Sequence, residues 1–269
     1  MNIESKFIEI KYSNNIWAIG SIHSHFDSFE SIKKHILKNF KERDRLVFLG
    51  NIIGVGDQST ETLSQVIELR NYLLSKFYLK SEDIVFLRGS QEEMFLKLLQ
   101  LQTAPNPYDI VKWIFDHGVN HTTESYGFKK DDILEVSTQN PIFINRWTTK
   151  LNKTILKYAG HKEYFSNLRH AAYSDNKKIL FVNRGVDVKR PLSAQNDCFW
   201  WGYQNFSKWN QPYLTFTRIV RGYEHSIKNN NNIKNDVLCS LFKPPLNNNK
   251  IIGGLFDKNG RILDLFESK

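Results

Sequence analysis

Cysteine is scarce. Cys198 and Cys239 are the two cysteines in 269 residues, and two so placed build neither a disulfide framework nor a metal knuckle. A reducing cytoplasm is the expected compartment. Long apolar runs are missing as well: no stretch approaches the roughly 18 uncharged apolar residues that a membrane span needs. Met1 to Lys11 mixes Glu, Lys and Ile and lacks the apolar core of a signal peptide. No Pro- or Gly-rich linker divides the chain, so residues 1–269 are read as one domain, long enough to bury a sizeable core. What the sequence does have is ordinary for a globular protein, 41% hydrophobic and 24% charged residues.

Positive charge is unevenly spread. Residues 145–234 hold 16 Lys or Arg against 5 Asp or Glu, a net of +11; residues 1–144 hold 16 against 19, a net of −3; the remainder adds +1, giving +9 in all. Such asymmetry marks either a solvated basic face or a surface for an anionic partner such as RNA. Arg146, Lys150, Lys153 and Lys157 fall at helical spacing around Trp147, and aromatics among basic residues suit base stacking.

The first hundred residues repeat one unit three times: an apolar run, a Gly turn, an amphipathic stretch. Ile16 to Ile22, Arg45 to Leu49 and Ile84 to Leu87 are the runs. Phe29, Ile32, Ile36 and Phe40, then Leu63, Val66, Ile67, Arg70 and Leu74, then Met94, Phe95, Leu98 and Leu99 recur every three or four residues, as helix faces do. The repeat predicts a mainly parallel sheet with helices on its faces, and ligands in such sheets sit at the carboxyl ends of the strands. Beyond residue 100 the pattern loosens into an aromatic segment from Trp113 to Gly127. Further strands are predicted at Ile179 to Val182 and Arg218 to Val220. A hairpin is predicted from Ile251 to Phe266 around Asn259-Gly260.

The three turns read Gly20-Ser21-Ile22-His23-Ser24, Gly50-Asn51-Ile52-Ile53-Gly54-Val55-Gly56 and Gly89-Ser90-Gln91-Glu92. In order and spacing they resemble the calcineurin-like metallophosphoesterase signature Gly-Asp-x-His-Gly, Gly-Asp-x-x-Asp-Arg-Gly, Gly-Asn-His-Glu, in its bacterial phosphoprotein-phosphatase and diadenosine-tetraphosphatase branch. Trp113 through Ser125-Tyr126-Gly127 looks like that branch's Trp…Ser-Tyr-Gly segment. Leu180-Phe181-Val182-Asn183-Arg184-Gly185 is similar to its Leu-Phe-Val-His-Ala-Gly strand. Arg190-Pro191-Leu192, Gln195, Trp201 and Phe206 follow in family order, and Val220-Arg221-Gly222-Tyr223 falls where Val-x-Gly-His is expected. The resemblance implies an α/β fold, an αββα sandwich. It also implies a centre of two divalent metals, Mn, Fe or Zn, that clamps a phosphate and activates water.

Compared with that signature, the motif residues are degenerate. Ser21 stands for the first Asp, Asn51 for the bridging Asp, Ser90 for the Asn, Asn183 and Tyr223 for two His, and His23 alone is kept among the metal ligands. Gln91 replaces the His that acts as acid, Gly54 the Asp that orients it, and Val55 and Tyr203 two phosphate-binding Arg. Without the carboxylates nothing at these positions neutralises a pair of dications. A pseudophosphatase that binds or scaffolds a protein partner is therefore expected, with no metal cofactor. An altered phosphoesterase and a nucleic-acid-binding module are the alternatives. His25, Asp27, Asp57 and His225 are the candidates for a rebuilt site, with His23 and His225 the metal candidates. Arg88 and Glu92 match family positions; Arg88 is expected to pair with a carboxylate and Glu92 to favour a helix N-terminus. Ser21, Asn51, Ser90, Gln91 and Asn183 are expected to hydrogen-bond one another across the old site.

Overall fold

The computed structural model describes residues 6–195, 197–203, 206–223, 236–242 and 249–269. Two five-stranded sheets pack face to face. The first has the order β10-β9-β2-β3-β4. Strands β2 (Asn15–Ile19), β3 (Arg45–Phe48) and β4 (Ile84–Phe86) run parallel, and the hairpin β9 (Ile252–Asp257) and β10 (Ile262–Glu267) adds antiparallel to β2. The second has the order β1-β5-β6-β7-β8, with β1 (Phe7–Ile10), β5 (Ala171–Ser174), β6 (Ile179–Val182), β7 (Arg218–Arg221) and β8 (Leu238–Ser240). The three strands of the repeat pair parallel, as expected from sequence, and each sheet also holds an antiparallel pairing that the repeat did not reveal. Strands β5 and β6 pair antiparallel, because a short turn between them permits only that direction.

Alternation along the strands builds the layers. Ile16 and Ala18 of β2, Val47 of β3, Val85 of β4, Phe181 of β6 and Val220 of β7 point between the sheets and are buried together. Trp17, Ile19, Leu46, Phe48, Ile84 and Phe86 point to the opposite face of the first sheet. There they meet α1 (Phe26–Asn39), α2 (Ser59–Lys76) and α3 (Ser90–Leu98). Five further helices complete that layer: α4 (Pro107–Asp116), α5 (Val119–Ser125), α6 (Lys130–Ser137), α7 (Pro141–Ile155) and α8 (His161–Ser166). The outer face of the second sheet is covered by α9 (Cys198–Trp201) and an aromatic loop carrying Phe206, Tyr213 and Phe216. The sandwich is therefore αββα with one thick and one thin outer layer. Cys198 and Cys239 are free thiols. Among the described residues no helix is long and apolar enough to cross a membrane.

Candidate functional site

The carboxyl ends of β2, β3, β4, β6 and β7 meet at one edge of the sandwich, and hydrogen bonds join the two sheets there. Ser21 N donates to Gly222 O at 3.0 Å, and the Asn183 side-chain amide donates to Leu49 O at 2.6 Å. Ile22 N and His23 N share Asn51 O at 2.9 and 2.8 Å. The turns are tight enough that His23 (φ 52), Ser24 (φ 62), Asn51 (φ 55) and Val55 (φ 64) all sit in the left-handed region. For β-branched Val55 this is a strained backbone; its N–H is pinned to Gly118 O at 3.1 Å.

Glu92 organises the second loop. Its carboxylate is fully buried and accepts from Asn51 N and Ile52 N, both 2.8 Å, from Gly89 N at 3.0 Å and from the Tyr164 hydroxyl at 3.0 Å. Burial pushes its pKa up while these donors pull it down. Glu92 fills the helix-terminus role expected of it, capping Gly89 N at the start of α3, and is also the scaffold of the loop that carries Asn51. Arg88 pairs with Glu93 at 3.0 Å, as expected of it, and lies over the Trp200 ring.

Ser21, Asn51 and Ser90 form a chain of neutral polar side chains. The Asn51 side-chain amide donates to Ser21 Oγ at 3.2 Å, and Asn51 Oδ1 accepts from Ser90 Oγ at 3.3 Å and Gln91 N at 3.1 Å. The expected network is correct for these residues and wrong for the side chains of Gln91 and Asn183. Gln91 Nε2 turns away to His117 O at 2.9 Å, and Asn183 bonds Leu49.

Beside this chain opens a cleft of about 670 Å³. His23, Val55, Ser90, Gln91 and Tyr223 line one side; Trp113, Asp116, His117, Trp201 and Arg184 are also on its wall. His23 is 4% exposed, with both ring nitrogens buried and unbonded, and its ring stands edge-on to Tyr223 at 5.6 Å. Burial, with repulsion from His25, holds its pKa down to about 3, so the imidazole is neutral. Tyr203 is exposed and lies off this wall.

Comparison with known proteins bears on this edge. No family model matches the chain. A symmetrical bis(5'-nucleosyl)-tetraphosphatase of Xylella fastidiosa strain 9a5c is 26% identical over 187 residues, 66% of this chain and 60% of the relative. One of the same name from Pseudomonas syringae pv. syringae strain B728a is 28% identical over 103 residues, 37% of this chain and 34% of the relative. The chain thus spans less than two thirds of the length of the curated relatives it matches. A crystal structure provisionally named a diadenosine tetraphosphatase superposes with a TM-score of 0.54 at 13% identity, covering 98% of both chains. The fold is that of this solved structure. The resemblance seen in the sequence implies a metal pair, and among the described residues the donor set does not fit one. Among the described residues no three His, Cys, Asp or Glu are grouped to hold a metal. The neighbouring buried carboxylate, Glu92, is engaged by main-chain amides. Asp27 and Asp57 are exposed, and His25 precedes α1; these candidates for a rebuilt site do not converge. His225 lies outside the described residues.

The basic stripe is exposed, but the aromatic residue among it is not. Arg146, Lys150 and Lys153 are exposed on α7, with exposed Lys157 just beyond its end. Trp147 is buried against Phe128, so it is not available to stack on a base; it sits on the core side because its spacing from Ile144 and Leu151 is helical. Arg184 is the residue that the sequence reading passed over. The signal was present, an Arg where the phosphoesterase strand reads Ala.

Proposed function

We propose that this chain is a pseudophosphatase: a binding or scaffold protein for a protein partner, built on the calcineurin-like phosphoesterase fold. The observation that carries the reading is the Ser21–Asn51–Ser90 chain. By motif order two of its members, Ser21 and Asn51, stand where the signature has carboxylates, and all three are neutral and already bonded to one another, which supports the reading. Gln91 stands at the position of the acid, and a carboxamide does not protonate a leaving oxygen at a useful rate. The relatives are named tetraphosphatases, which favours the alternative of a residual phosphoesterase. The test is metal analysis of the purified chain with assays on p-nitrophenyl phosphate and a bis(5'-nucleosyl) tetraphosphate. Neither a stoichiometric metal pair nor turnover is expected. About two equivalents of Mn, Fe or Zn, or metal-dependent turnover abolished by His23→Ala, would overturn the reading.

A polyanion surface is the second reading, supported by the exposed charges of Arg146, Lys150, Lys153 and Lys157. RNA held there would be bound through phosphates alone and fall steeply with salt. Charge reversal at Lys150, Lys153 and Lys157 that leaves low-salt affinity unchanged would reduce the stripe to a solvated face.

A further inference from the structure

We propose that a second cavity, at the β4 edge of the first sheet, binds the C-terminal residue of a peptide, Arg70 holding the carboxylate and the bare edge of β4 pairing with the last amide. None of the residues lining this cavity lines the strand-end cleft, so the inference stands whether or not that cleft turns over a phosphoester.

Strand β4 ends the first sheet. Leu87 N donates to Phe48 O at 2.9 Å. By the alternation of a parallel ladder, Val85 and Leu87 turn their main-chain groups to β3, and Ile84 and Phe86 turn theirs outward. Part of that outer side is used: Arg169 N donates to Phe86 O at 2.8 Å, and Arg88 N to Arg169 O at 2.7 Å. The chain before Arg169 is wound into α8, and Asn167 N is still bonded to Glu163 O at 3.1 Å, so it does not continue the pairing along β4. Among the described residues Phe86 N–H and Ile84 C=O are left without a partner. Both residues line a cavity of about 370 Å³. Main-chain groups bare at a strand edge pair with an extended peptide.

Arg70 of α2 stands half-buried on the same wall. Its guanidinium makes two long bonds, 3.5 Å to Asn71 Oδ1 and 3.4 Å to Ser81 O, and among the described residues it pairs with no carboxylate. Burial lowers its pKa from the ordinary value; a carboxylate beside it would offset that penalty. An unpaired, partly desolvated guanidinium is suited to a carboxylate, which its planar fork can hold through two bonds. Arg169 adds positive charge to the wall. Glu82 and Glu163 also line the cavity, both exposed. They leave Arg70 as the place for negative charge and disfavour a second acid on the ligand. Ile8, Ile67 and Phe86 supply the apolar wall. A carboxylate, a neighbouring amide and an apolar side chain together describe the last residue of a polypeptide.

The experiment is fluorescence anisotropy with pools of short fluorescein-labelled peptides, mixed at every position but the last. The last residue is Val, Leu, Ile, Met or Phe, and each pool is made both as the free acid and as the C-terminal amide. At least one free-acid pool should bind, and its amide at least about tenfold more weakly, the worth of a charge-assisted bond. Arg70→Gln should weaken the acid about tenfold or more and bring it level with the amide, and Arg70→Lys should recover part of the loss. Amide hydrogen exchange at Phe86 should slow when the acid is bound. Melting curves identify the folded variants; if neither folds, the acid–amide comparison and exchange at Phe86 in wild type decide alone. No pool bound, acid and amide bound alike, unchanged affinity in a folded Arg70→Gln, or unchanged exchange at Phe86 overturns the proposal. None of these outcomes depends on metal or turnover, so its failure leaves the reading of the strand-end cleft where it was.

Discussion

Gly54 and Gln91 compete for one volume: a β-carbon on Gly54 would fall 2.0 Å from Gln91 Oε1. Gly54 also has φ +85, a conformation that costs an L-residue about 1 kcal/mol. Gly54→Ala should therefore destabilise by about 1–3 kcal/mol, by displacing Gln91 from His117 O as well as by backbone strain. Gln91→Ala in the same chain should recover the steric part and leave the strain. Urea unfolding of the two single variants and the double gives the coupling; additive single effects would refute the shared volume.

Ser21→Asp together with Asn51→Asp replaces an amide–hydroxyl bond of 3.2 Å with two carboxylates at similar separation and no cation between them. The double variant should lose about 3 kcal/mol or more at neutral pH and regain part of it near pH 4, where one carboxyl protonates. Adding Ser90→Asn, Gln91→His, Asn183→His and Tyr223→His should make stability depend on manganese. Wild type should melt at the same temperature with chelator or manganese. A double variant as stable as wild type at neutral pH would contradict this account of the site.

Glu92→Gln keeps the shape but turns an NH2 group towards amides that now donate to a carboxylate. Asn51 N, Ile52 N and Gly89 N cannot all be satisfied by the single carboxamide oxygen. A loss of about 3 kcal/mol is expected. Amide hydrogen exchange should speed up at Asn51 and Ile52 before it does in the β3 interior. Equal protection in both proteins would show that Glu92 does not hold the loop.

Three buried histidines have depressed pKa values: His23 to about 3, and His161 and His170 to about 4. Burial is the main cause in each. His25 adds repulsion at His23, Arg88 and Lys6 add it at His170, and Glu61 opposes it at His161. Below about 6.5 the unfolded chain takes up protons that the folded chain refuses, so stability is present above that pH and lost as pH falls towards 4. Each histidine contributes up to about 2 kcal/mol of loss between pH 7 and pH 5. Urea midpoints at the two pH values measure the sum; a midpoint unchanged at pH 5 would mean that these rings are solvated.

The β-loop-α units from Ile16 to Leu98 were legible because each strand is apolar apart from the first residue of β2 and of β3, and each helix keeps a three-and-four periodicity. The strands β1 and β5 were not. Phe7–Ile10 is an edge strand with mostly half-buried side chains, and Ala171–Ser174 is built largely of small residues, so neither stands out from its surroundings. The helices α4 to α8 were blurred because several are under three turns long and joined by tight turns, which leaves too few periods to read. At the site, the motif order fixed which residues meet. Which way Gln91 and Asn183 turn depended on carbonyls of His117 and Leu49, distant in sequence. The burial of Trp147 followed from the helix face that Ile144 and Leu151 share with it.

The bonds from Ser21 N to Gly222 O and from Asn183 to Leu49 O stitch the two sheets at the very edge where the cleft opens. The cleft cannot widen by parting the sheets unless both are broken. The sheet side of the cleft is therefore of set width, as in a gauge, and any give in the mouth falls to the wall that carries Trp113 and His117.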